Sequence, residues 1–328
     1  MLLDKGYKMK PAEADIAEAK LRSSPEDTAA RIKLIGYYFK HIETTPKDIR
    51  RAHILWLIEH NPDSEIWTSN LGSISKDADP EGYEEAKNLW ITQADTKKSN
   101  PVILYNAANF LYMWDSSTAE TLLDSAASLA PKTYEVPSEI GRIYGHLFRL
   151  EEESPEDQRR LGDKAIDQYE KCLRMPSDSI TKTMRDRASM VLDLAEISYL
   201  SGYNERATTY AAEALEQATA DREAFDREDV INRANTVMGL VALRSDDFDT
   251  AKQYLAASGK AIKSMSPTSP GPSMALADAL LHAGERRSVI EYFSQCSAFW
   301  EDGRDLINNW ENTVRNGGMP EFDGQEKL

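Results

Sequence analysis

Cysteine is nearly absent: the 328 residues contain only Cys172 and Cys296. They form neither a CxxC pair nor a ligand-spaced cluster, which excludes a zinc module and a disulfide-stapled scaffold. Two free, unpaired thiols in the interior are expected instead. That fits a reducing compartment, so the cytoplasm is the expected location; a periplasmic or secreted chain whose signal peptide has been removed is the alternative. Positive charge is scarce too. Against 55 Asp and Glu stand 39 Lys and Arg, a net charge of −16, and the basic residues gather no further than pairs such as Arg50-Arg51, Arg159-Arg160 and Arg286-Arg287. A phosphate backbone is bound by clustered cations, so no nucleic-acid partner is expected. No apolar run approaches the ~20 residues of a membrane span, and the start MLLDKGYKMK has no hydrophobic core of a signal sequence. Membrane insertion is not expected. A glycine-rich phosphate loop, a GxSxG turn and an HExxH pair are all missing. No cofactor and no metal are therefore expected, and catalysis has no positive support. Hydrophobic residues still make up 41% of the chain, and 16 glycines raise the apolar-plus-glycine share to roughly 46%, that of an ordinary folded protein.

What is present is helical punctuation. A capping residue, then Pro, then an acid recurs at Ser24-Pro25-Glu26-Asp27, Thr45-Pro46-Lys47-Asp48, Asp79-Pro80-Glu81 and Ser154-Pro155-Glu156-Asp157. A side-chain oxygen accepts an orphan N–H, Pro gives up a donor that has no partner, and the acids face the positive end of the helix dipole. Between these marks, segments such as 84–96, 118–129, 185–200 and 204–218 carry apolar residues at i, i+3, i+4 and i+7. No stretch alternates like a strand without also suiting a helix. The pattern predicts an all-α chain, more than half helical, with about fourteen to sixteen helices. Trp67 to Asp79, rich in Ser, Gly and Asp, resists helix. So does Lys263 to Ser273, with Pro267, Pro270 and Pro272.

An internal repeat lies under this pattern. With Asn100 as position 1 of a unit of 34 residues, Ala107 falls at 8, Phe110 at 11, Ala119 at 20, Leu123 at 24, Ala126 at 27 and Pro131 at 32. Small residues at 8 and 20 let two helices touch, large ones at 11 and 24 fill the space beyond, and Pro ends the second helix. Anchored on position 20, Ala207 brings Leu194, Ala195, Gly202, Ala211 and Ala214 into register. Ala251 brings Met238, Gly239, Phe248, Leu255 and Ser258, and Val289 brings Ala277, Leu280, Gly284, Phe293 and Cys296. Ala165, Ala86 and Ala52 mark further second helices, the last paired with Ile35, Gly36 and Phe39. Leu306, Trp310 and Val314 share one face of a closing helix, whose outer face carries Glu301, Asp302, Arg304, Asp305, Glu311 and Arg315 and which ends at Gly317-Gly318.

These positions resemble the tetratricopeptide repeat, and the carboxyl-terminal run resembles uncharacterised bacterial members of that class. The resemblance implies a superhelix, or solenoid, of irregular tetratricopeptide-like hairpins with a C-terminal capping helix. Its expected parts are degenerate N-terminal helices (1–66), a bend (67–80), an array of hairpins (81–262), a linker (263–273), and a last hairpin with the capping helix (274–328). It also implies a scaffold that binds protein or peptide in a concave groove lined by first helices. The register puts Leu104, Leu111, Tyr112, Arg142, Leu192, Glu196, Tyr199, Arg233, Leu240, Arg244 and His282 there. A carboxylate clamp would need Lys at 5 and Asn at 9. The chain offers Leu104 with Ala108, Leu192 with Glu196, and Thr236 with Leu240, so a chaperone-tail adaptor is disfavoured. Arg142, Arg233 and Arg244 would instead pair acidic groups, and Tyr112 and Tyr199 would serve as aromatic anchors. Two other readings stay open: an enzyme on a helical scaffold with an unrecognised site, and a structural subunit forming a homo-oligomer through its groove or its ends.

Some groups tempt a sharper reading. His53 and His60, seven apart, share a helix face but lack a third metal ligand. Asp246-Asp247-Phe248-Asp249 looks like the acidic motif of helical terpene synthases, yet it falls in an inter-helix turn where Asp caps. Six tryptophans are present, and four of them are expected to be structural.

Overall fold

A computed structural model describes residues 2–129, 134–151, 154–175, 184–220, 227–261, 271–298, 300, 303–322, 324–325 and 328. Among these residues there are sixteen α-helices and no strand, and helix accounts for well over half of them. The expected all-α class is met. The expected linker 263–273 lies mostly outside the described residues, as do Pro131, Glu301 and Asp302.

The chain divides into two compact units, Met1–Glu153 and Ser154–Leu328. The first holds α1 (Leu2–Tyr7), α2 (Pro11–Ser23), α3 (Thr28–Lys40), α4 (Lys47–His60), α5 (Pro80–Thr96), α6 (Pro101–Leu111), α7 (Ser116–Ser128) and α8 (Glu135–Leu150). The second holds α9 (Pro155–Leu173), α10 (Met184–Leu200), α11 (Asn204–Ala220), α12 (Arg227–Arg244), α13 (Phe248–Ala261), α14 (Ala275–His282), α15 (Arg286–Cys296) and α16 (Arg304–Arg315). The division runs through the expected 81–262 array, where α8 stops at Leu150 and Ser154-Pro155 starts the next helix.

Two of the four proline marks work as the pattern predicts. Asp79 accepts from the Gly82 N–H at 3.1 Å, and Ser154 accepts from the Asp157 N–H at 3.2 Å. The other two differ. Ser24 ends α2 and Pro25 lies in the connection, so Asp27 is the cap of α3 and accepts from Ala30. The start of α4 has no side-chain cap at all. Asn100 supplies one that the pattern did not single out, accepting from the Val102 N–H at 3.0 Å. An acid or amide can cap at the end of a turn as well as before a Pro, so the mark fixes the start only to within a few residues.

Some helices pack both on the next helix and on the one after it. In the first unit α6 packs on α7 and α8; in the second α10 packs on α11 and α12, and α12 on α13 and α14. The small residues of the register sit at these contacts: Ala107, Ala119, Ala126, Ala195, Ala207, Ala214, Ala251 and Ala277 are all buried. Cys172 and Cys296 are free and buried, as their isolation in the sequence predicts. In the last helix the apolar face is rotated by one residue from the expected one. Ile307, Trp310 and Val314 are buried while Leu306 is 41% exposed.

Four helix ends share one turn. Gly202, Asp246, Gly284 and Gly317 have φ of 86°, 57°, 89° and 84°, and the N–H that follows each reaches back five residues. These are Tyr203 to Ser198, Asp247 to Ala242, Glu285 to Leu280 and Gly318 to Thr313, at 2.8 to 3.0 Å. This is the left-handed cap that glycine adopts without steric cost. A Cβ at Gly284 meets nothing within 4 Å, so only the backbone term is in play. Gly284→Ala is expected to cost ~1 kcal/mol and Asp246→Gly to gain up to ~1 kcal/mol. Denaturant melts of the two variants check this; a shift of the same sign in both would show that the shared turn is not what sets their stability.

In place of a helix, the segment 67–79 holds the end of one short 3-10 turn, Glu65–Thr68, and the whole of a second, Asn70–Gly72. Buried Arg50 of α4 pins the second of them, donating to the carbonyls of Leu71 at 2.6 Å and of Ser73, just beyond it, at 2.8 Å.

Candidate functional site

The residues nominated for a groove fall into both units, and most are already occupied. Leu104, Leu111, Leu192 and Leu240 are buried, which corrects their assignment to a ligand-facing surface. Consecutive first helices α6 and α8, α10 and α12, and α12 and α14 pack on one another, and apolar side chains between them go to that contact. Glu196 is only 1% exposed and receives both arms of the Arg233 guanidinium at 2.8 Å. Asp229 at 3.3 Å and Asp193 at 3.7 Å complete the set. The surrounding carboxylates raise the Arg233 pKa despite its burial, with Glu196 the strongest of them. Arg233 and Glu196 are thus an internal tie, and reversing the charge at 233 would place a fourth acid among three. Arg244 lies 3.5 Å over the Tyr199 ring and donates to the Tyr199 carbonyl at 2.6 Å. His282 is exposed, with its ring nitrogen 3.0 Å from the Asp278 carbonyl of its own helix.

Two nominees do meet at a cavity, Tyr112 and Arg142. A cleft of about 790 Å³ in the first unit is lined by Tyr112, Arg142 and His146, by Trp67, Trp90 and Phe110, by Asn106 and Asn109, and by the 68–77 segment. Tyr112 stacks on His146 with centroids 5.4 Å apart and an interplanar angle of 17°. Arg142 donates to Asn109 Oδ1 at 2.9 Å and pairs with Glu139 at 2.9 Å. Asn109 in turn donates to the Trp67 carbonyl at 2.7 Å, which ties α6 to the Glu65–Thr68 turn. At the mouth, Met113 is 58% and Trp114 42% exposed, with the Lys76 ammonium 6.0 Å from the Trp114 ring centre.

The electrostatics follow from burial. Removal from water, then the charges of Arg142 and Arg149, lower the His146 pKa to about 4, so the imidazole under Tyr112 is neutral at pH 7. Arg50, behind the cleft wall, is lowered to about 10 by desolvation. Two polar atoms of lining side chains have no hydrogen-bond partner among the described residues: Trp90 Nε1 and Asn106 Oδ1. An unpaired buried donor or acceptor costs ~1–3 kcal/mol. The groups present are suited to holding a ligand by stacking and hydrogen bonding.

Trp90, Asn106, His146 and Trp67 were not nominated from the sequence. One signal was available for Asn106, an amide inside the apolar run PVILYNAANF, where a polar group needs a partner. The two histidines seven apart do separate work. His53 is buried between Glu18 at 2.9 Å and Arg31 at 3.4 Å, while His60 stacks on Trp56 at 4.1 Å. The Asp246–Asp249 stretch caps a helix, with Asp247 accepting from the Thr250 N–H at 3.1 Å. Four of the six tryptophans, Trp67, Trp90, Trp300 and Trp310, are buried. Among the described residues no helix is long and apolar enough to cross a membrane. No protein-family model and no curated protein matches the chain.

Proposed function

We propose that this chain is a tetratricopeptide-like scaffold that binds a protein or peptide segment without acting on it, and that the cleft of the first unit is its contact site. The observation that carries the reading is the cleft itself. Three consecutive side chains, Tyr112, Met113 and Trp114, line it where α6 gives way to α7, and two of them are exposed. Exposed aromatic and Met side chains beside a concave, partly apolar surface are the composition of an interface hot spot. The recurring left-handed turn and the buried alanines of the register support stacked hairpins and the solenoid reading.

Selection of displayed random peptides on the immobilised full chain tests the reading. Enriched peptides are expected to bind in calorimetry, and Tyr112→Ala with Met113→Ala is expected to weaken them at least about tenfold while Arg244→Ala leaves affinity unchanged. Loss through Arg244→Ala or His282→Ala, with the double variant still binding, would move the site to the second unit. No enrichment at all would sink the scaffold reading.

A further inference from the structure

The first forty residues carry eight Lys and Arg against six Asp and Glu, a net charge of +2 in a chain of net charge −16. The fold gathers four of those lysines around one groove. A Cβ at Gly6 would meet the Lys33 carbonyl oxygen at 1.9 Å, so the glycine lets α1 lie directly on α3. The groove, of about 540 Å³, is lined by Lys5 of α1, Lys8 just after it, Lys20 of α2 and Lys33 of α3. The two acids in its wall are spent internally. Glu13 accepts from the Lys10 N–H at 2.7 Å, while Asp27 accepts from the Ala30 N–H at 2.9 Å and pairs with Lys20. Lys5, Lys8 and Lys33 form no ion pair among the described residues. The rest of the wall is apolar, with Met9, Ala17 and Ala29. Ile16 belongs to it and is 69% exposed, more than any other large apolar side chain among the described residues.

We propose that this groove is a second contact surface, which takes an acidic peptide segment carrying an apolar side chain. The carboxylates of the segment pair with Lys5, Lys8 and Lys33, and its apolar side chain covers Ile16. The groove acts independently of the cleft at Tyr112. The rest of the chain, more acidic still, repels such a segment, so the groove is where it settles. A lone phosphate would leave Ile16 in water, and a flat bilayer does not follow a concave wall. An extended segment meets both the charge and the apolar surface.

Fluorescence anisotropy of a labelled EEELEEE peptide on the full chain provides the test, with QQQLQQQ and EEEQEEE as comparisons. EEELEEE is expected to bind saturably, at least about tenfold more tightly than QQQLQQQ and about fivefold more tightly than EEEQEEE. Raising the salt from about 0.05 M to about 0.5 M is expected to remove the first preference. Lys5→Gln, Lys8→Gln and Lys33→Gln combined should lower the affinity about tenfold or more. Should that protein melt below the parent, Lys5→Gln with Lys8→Gln, both at exposed positions, is expected to lower it about threefold. Ile16→Ser should erase the preference for EEELEEE over EEEQEEE, and Tyr112→Ala with Met113→Ala should leave all three peptides unaffected. Equal binding of EEELEEE and QQQLQQQ, no binding of EEELEEE at millimolar peptide, or an unchanged affinity in both glutamine variants would overturn the proposal. Sedimentation with phosphatidylserine vesicles in the absence of peptide binding would make the groove part of a membrane-facing surface, and would overturn it too.

Discussion

Trp310→Ala is expected to destabilise the second unit by ~3–5 kcal/mol, the usual cost of emptying a buried aromatic site. Trp310 is 2% exposed and has Phe322 at 5.1 Å, edge to face, with Phe293 and Trp300 both at 6.3 Å. Those rings come from α15, from the turn before α16 and from the segment after it, and all three are buried, so little can collapse into the space. Two neighbours sharpen the test. Ile307→Ala is expected to cost ~2–5 kcal/mol, whereas Leu306→Ala, at an exposed position, should stay within about 0.5 kcal/mol. Chemical denaturation of the three variants reads the ranking; a Leu306 effect equal to that of Ile307 would mean that α16 is turned the other way.

Acid is expected to weaken the first unit over a defined range. The folded chain holds His146 near a pKa of about 4, against an ordinary value of about 6.5. Below pH ~6.5 the unfolded chain gains a proton that the folded one refuses, so stability falls as pH drops and levels off near pH 4. The half-buried position limits the loss to on the order of 2 kcal/mol. His53, also lowered chiefly by burial, acts in the same direction. His146→Phe keeps a ring against Tyr112 and cannot be protonated. Its stability should change less between pH 6.5 and pH 4 than that of the parent, and parallel curves for the two proteins would refute the burial of a neutral imidazole.

The fold class was legible because burial at periodic positions is what a 3.6-residue pattern encodes. The turn at Gly202, Asp246 and Gly284 was partly legible, since it falls at one register position in three hairpins. The apolar face of α16 was not: Leu306 and Ile307 are adjacent and equally apolar, and only the packing of Trp300 and Phe322 decides between them. The groove suffered from the same limit. A register says which helix face a residue lies on, but not whether the next helix already covers it, so Leu104 and Leu192 read like surface candidates and are core. Charge was misleading for a related reason. Arg233 is opposed by Glu196 from a residue thirty-seven positions away, a pairing that no local pattern carries. The cleft depends on α4, α5, α6 and α8 together with the pinned turn. Tyr112 and Arg142 could be nominated from it, but Trp90 and His146 acquire a common role only once those helices are assembled.

A photoreactive benzoylphenylalanine placed at position 113 in one protein and at position 244 in another, each irradiated with a selected peptide, tests the central claim most directly. The claim predicts a covalent peptide adduct at 113 that excess unlabelled peptide suppresses, and none at 244. An adduct at 244 without one at 113 would contradict it.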